Sequence, residues 1–69
     1  MDNHDETPSL RKHLHDATGQ VSLALLQVSL LLEAPDLDPA VRAALLEVQH
    51  ACRIAGEALR AAWRATDLP

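Results

Sequence analysis

Leu31-Leu32-Glu33-Ala34-Pro35-Asp36-Leu37-Asp38-Pro39-Ala40-Val41 divides the 69-residue chain into two long segments of similar character. Pro35 disfavours helical geometry in the residue before it, so a helix reaching this point stops near 34 and a tight turn follows over 35–38. Asp38 then stands as an N-cap directly before Pro39, whose fixed φ suits a first helical position. Working back from the turn, Leu32 or Leu31, Val28, Leu25 or Ala24, Val21, Ala17, Leu14 and Leu10 recur at three- and four-residue intervals, the mark of an amphipathic helix. Thr7 before Pro8 repeats the cap-then-proline signature, so the spacing predicts a first helix over about 8–34. Downstream, Val41, Leu45, Val48, Cys52, Ala55, Leu59 and Ala62 keep the same rhythm, and a second helix is expected over about 39–65. The acidic residues 1–7 read as a disordered tail, and 67–69 as a short C-terminal one.

The predicted fold is therefore all-α, an antiparallel two-helix hairpin filling residues 8–66. An antiparallel pair matches residues whose numbers have a constant sum. Leu32 with Val41, Val28 with Leu45, Leu25 with Val48, Val21 with Cys52, Leu14 with Leu59 and Leu10 with Trp63 all sum to 73. This register leaves Leu23, Leu26, Leu30, Leu46 and Ile54 beside or behind the matched stripes, where a second hairpin would cover them. A domain of this size rarely buries enough apolar surface alone, so the expectation is a homodimer forming a four-helix bundle.

Composition narrows the function classes. Hydrophobic residues make up 48% of the chain with one Trp and no Phe or Tyr, so the apolar content is Leu, Ala and Val, as helix packing prefers. Six Lys and Arg against ten Asp and Glu, scattered over both halves, form no basic face for nucleic acid. The longest apolar stretch, 23–32, is broken by Gln27 and Ser29 and is about half a bilayer span, so no membrane segment is expected. An acidic N-terminus does not resemble a secretory leader, and a lone Cys52 offers no internal disulfide. The expected location is cytoplasmic. His4 and His13 have no carboxylate or thiol partner at a ligand spacing, so neither metal nor cofactor is expected.

His15-Asp16-Ala17-Thr18-Gly19-Gln20 is the stretch that carries chemistry. Leu14 faces the helix partner, which turns His15 about 100° away and towards solvent. A neutral imidazole accepts a phosphoryl group on one nitrogen when an acceptor holds the proton on the other, and Asp16 is the candidate orienter. Gln20, one turn beyond Asp16, is the candidate for positioning an attacking water. Gly19 costs about 1 kcal/mol relative to Ala inside a helix, which the close approach of a partner backbone would justify.

Leu14-His15-Asp16-x-x-Gly19-Gln20, followed by the Leu-rich run 21–32, resembles the dimerisation and histidine phosphotransfer domain of sensor histidine kinases of the nitrate-sensor type. The resemblance covers 8–65, its specific part being the motif in the first helix. It implies autophosphorylation chemistry at His15, assistance from Asp16 and regulator dephosphorylation through Gln20. Lys12-His13 stand where the family carries Arg-Glu, and the 69 residues hold no nucleotide-binding boxes. The expected role is thus a phosphotransfer or dimerisation module exchanging phosphate with a response-regulator aspartate, not a self-sufficient kinase. Arg53, Glu57, Arg60 and Arg64, at the His15 end of the hairpin, form an ordinary surface ladder; by the same analogy they join Gly19, Ser22, Leu26 and Ile54 as a docking surface for a receiver domain, and Trp63 closes the open end of the bundle near the His15 level. The alternatives are a non-enzymatic dimeric adaptor or inhibitor that binds a histidine kinase or regulator, and a purely structural bundle.

Overall fold

The structure, a computed structural model, describes residues 6–66 and consists of two helices, α1 (Glu6–Leu31) and α2 (Pro39–Thr66), with no strand among the described residues. Most of the expected acidic tail and the whole of 67–69 lie outside the described residues. α1 begins at Glu6, so Thr7 lies just inside the helix instead of capping it. No helix is long and apolar enough to cross a membrane.

α1 ends at Leu31, three residues earlier than the sequence predicts. The reason is local: Glu33 N–H donates to Leu30 O and Ala34 N–H to Leu31 O, both at 3.1 Å, so the chain tightens into three-residue turns before Pro35. At the other side of the turn the Asp38 carboxylate accepts from Ala40 N–H at 2.8 Å, and its carbonyl accepts from Arg42 N–H at 2.9 Å. Asp38 is thus the N-cap of α2 that the Asp-Pro pair predicts.

Each helix has its C-terminal end closed by an arginine of the other. α1 has no basic residue in its last turn, but Arg42 of α2 donates to Leu32 O at 3.1 Å and Ala34 O at 3.2 Å. At the opposite end, Arg11 of α1 donates to Thr66 O at 2.9 Å. These bonds satisfy carbonyls that a helix end leaves orphaned. Arg42→Ala should therefore lower stability by about 1–2 kcal/mol, read as a fall in Tm of roughly 5–10 °C by circular dichroism. A midpoint unchanged within a degree would show that water replaces the guanidinium without loss.

The observed helix register corrects the expected one by a full turn. Gln49 Nε2 donates to Ser29 Oγ at 3.2 Å, Val21 lies 3.9 Å from where a Cβ on Gly56 would stand, and Arg11 meets Thr66. These pairs sum to 77 or 78, not 73. Apolar stripes with three- and four-residue spacing look alike after a slip of four residues, so the stripes alone do not choose. The arginine clips and the Ser29–Gln49 bond do. Gly56 consequently packs near Val21, and Trp63 stands level with His15 instead of Leu10.

Among the described residues the buried positions are Val28, 8% exposed, and Gly56. Much of the remaining apolar surface is open, including Leu23, Leu26, Leu30, Leu31, Val41, Leu46, Val48 and Ile54. The hairpin is a scaffold with almost no interior of its own.

Candidate functional site

His15 is exposed on α1, as the position of Leu14 predicts. It shares a cleft of about 160 Å³ with Thr18 from the same helix and with Arg60 and Trp63 from α2. The slipped register creates this grouping. Trp63 comes opposite His15, and Arg60 opposite Thr18. The Thr18 hydroxyl donates to Leu14 O at 2.7 Å, one turn back along α1. Arg60 lays its guanidinium back along α2: two of its nitrogens lie 3.6 and 3.8 Å from the place a Cβ on Gly56 would occupy. The absence of a side chain at Gly56 gives that group room to lie flat.

Asp16 is adjacent to His15 in sequence, but its carboxylate is engaged one turn back, with Lys12 Nζ 3.6 Å from Asp16 Oδ2. With the two side chains 76% and 57% exposed, this pair adds little stability. It does hold the carboxylate on the outer surface of α1.

Gln20 lies elsewhere. It is about 140° round the helix from His15, and it lines a broad apolar groove of about 390 Å³ with Val21, Ala24, Val48, Ala51, Cys52 and Ala55. Cys52, matched with Val21 in the expected register, is half-buried in this groove. The two sides of the helix pair thus differ in character. One is the apolar groove with Gln20 at its border; the other carries His15, Arg60 and Trp63.

Ser22, Leu26, Arg53, Ile54 and Glu57 are all exposed. At about 100° per residue Ser22 and Leu26 fall on the His15 side of α1, and Arg53 and Glu57 on the Arg60 side of α2, away from the groove; Ile54 lies on the outer back of α2, about 120° round from Arg60 and opposite Trp63. Gly19 is open too, with nothing within 4 Å of the place its Cβ would take, so the hairpin itself supplies no steric reason for a glycine there.

No family model, curated protein or solved structure matches this chain. The site therefore rests on its own geometry.

The sequence places Trp63, matched to Leu10, near the His15 level and Arg60 in a charge ladder at the same end of the hairpin, but not in one cleft with His15. The available signal is the ambiguity of the register: moving the match by one turn brings both to His15. Among the described residues no cluster of three or more His, Cys, Asp or Glu side chains forms a metal-binding group.

Proposed function

We propose that the chain is a two-component signalling module in which two hairpins pack as a four-helix bundle and His15 exchanges a phosphoryl group with a response-regulator aspartate. The observation that supports this best is the sidedness of the hairpin. Val48, Ala51 and Ala55 of α2 and Ala24 of α1 line one apolar groove, while His15 opens on the other side. A second copy seated in the groove covers apolar surface and leaves the imidazole reachable. Leu23, Leu26 and Leu30 lie on the outside of α1, so a copy in the groove leaves them to another partner. On this reading the chain works in the cytoplasm, where receiver domains are found, and Ser22, Leu26, Arg53, Ile54 and Glu57 meet the receiver.

In the transfer, the bare ring nitrogen of His15 supplies the electron pair for the new N–P bond. The aspartyl O–P bond breaks with its pair leaving on the carboxylate, and the proton of the second ring nitrogen passes to water. The test is incubation of the chain with phosphorylated receivers and with active histidine kinases. Acid-labile label on the chain is the expected result; no label from any of them refutes the reading.

Gln20 carries a separate expectation. To position a water for receiver dephosphorylation it must be reached round the edge of α1, since it borders the groove. Gln20→Ala should slow receiver dephosphorylation roughly tenfold or more while leaving His15 labelling intact. An unchanged rate with a weakened dimer would assign Gln20 to the groove instead.

A specific observation favours a second reading. Asp16 is paired with Lys12 and Gln20 borders the groove, so the three motif residues are not gathered at one point. That arrangement suits a non-enzymatic adaptor that binds a kinase or regulator through the same face. Stable partner binding with no label on His15 would identify it.

A further inference from the structure

The cleft beside His15 has a composition that the motif alone does not explain. Its four lining residues are one nucleophile, one hydroxyl already donated to the backbone, one cation and one aromatic wall, drawn from both helices. We infer that this cleft is the holding site for a phosphoryl group on His15, with the Arg60 guanidinium as its anion contact and Trp63 as its apolar side. The proposal rests on the reading of His15 as a phosphoacceptor and adds the residues of α2 that recognise the modified state.

Three features carry it. The cleft volume of about 160 Å³ is far above the ~10–15 Å³ that a single water requires, so a phosphorus and its three oxygens enter without rearranging the helices. Arg60 is a planar, permanently charged fork suited to phosphate oxygens. Its guanidinium rests over Gly56 at ordinary contact distance from the space a Cβ would fill, on a long flexible stem free to swing towards His15. Finally, the nearest carboxylate in sequence, Asp16, has its charge partly offset by Lys12, which lowers the repulsion an incoming dianion meets beside the imidazole.

The experiment needs no cognate protein. A full-length chain in which His4, His13 and His50 are replaced by Gln leaves His15 as the single imidazole. Potassium phosphoramidate then phosphorylates it: the reagent's N–P bond breaks, the N–P bond to the ring forms, and ammonia leaves with the ring proton. Trp63 is the single tryptophan and the chain has no tyrosine, so near-ultraviolet emission reports on this cleft alone.

Phosphorylation should change the Trp63 emission, and ³¹P titration of the phosphoimidazole should show its second ionisation rising by about half a pH unit in Arg60→Gln. Arg60→Lys should recover most of that shift. Identical titrations in the parent and Arg60→Gln, together with unchanged emission, would overturn the inference. So would failure of His15 to react under conditions that phosphorylate free imidazole. A chain that passes these tests but exchanges phosphate with no receiver keeps the cleft assignment and loses the signalling one.

Discussion

On the proposed phosphotransfer reading, His15→Ala should lower acid-labile labelling of the chain by receivers or kinases by roughly a hundredfold or more, with helix content and mass unchanged. The size of the effect follows from the chemistry: alanine has no nucleophile, and the other three histidines lie outside the motif. The absence of a structural effect follows from the position. His15 is exposed on α1, and alanine is the better helix former by a few tenths of a kcal/mol. Acid-labile label measured beside circular dichroism and light scattering separates the two. Label that survives in His15→Ala would move the phosphoacceptor to His13 or His50 and dismantle the site. Loss of label accompanied by loss of helix would show instead that His15 is part of an interface.

The second large effect concerns the groove. If two copies pack through the groove as proposed, the parent should run as a dimer of about 15 kDa, twice its 7.5 kDa, and Val48→Glu as a monomer with reduced helicity. Val48 is 46% exposed in the single hairpin and lines the groove, so a second copy placed there buries it. A carboxylate in that position, facing its symmetry mate, costs several kcal/mol unless water returns. A penalty of about 2.7 kcal/mol already weakens association a hundredfold. Ile54→Glu is the matched control. Ile54 is on the same helix, is also β-branched and is 53% exposed, yet lies on the outer back of α2, about 120° round from Val48. It should stay dimeric while losing affinity for a receiver. Light scattering at micromolar concentration decides: a parent chain that is monomeric with full helicity, or equal effects of the two substitutions, would refute the groove interface.

Reduced helicity is part of the first expectation because the hairpin has so little interior. With Val28 and Gly56 as the buried positions among the described residues, the ordering of two helices of 26 and 28 residues is not offset by a core within one chain. Association and folding should be one transition, so Tm should rise with protein concentration.

The helices and the turn were legible because their signals are local. Pro35 stops α1, Asp38 caps α2, and the three- and four-residue rhythm of Leu, Val and Ala marks the facing sides. The register was not, because a repeating apolar stripe carries no origin. What fixes it is polar and sparse: Arg42 on Leu32 and Ala34, Arg11 on Thr66, Gln49 on Ser29. Pairings of this kind become visible only when both helices are in place. The exposure of His15 needed only its neighbour Leu14. The approach of Arg60 and Trp63 needed the register, and so was hidden with it. Gln20 illustrates the opposite error. Adjacency in a short motif suggested a shared centre, whereas five helical positions carried the amide round to the groove.

The Arg11–Thr66 bond has a topological consequence. It draws the start of α1 and the end of α2 together at one pole of the hairpin, the pole that carries His15, while the turn occupies the other. Polypeptide attached at either terminus therefore enters and leaves through a single doorway. Geometrically the hairpin is a cassette. It can be spliced into a surface loop of a host protein, both junctions at one pole, with the imidazole about one helical turn from the Arg11–Thr66 bond.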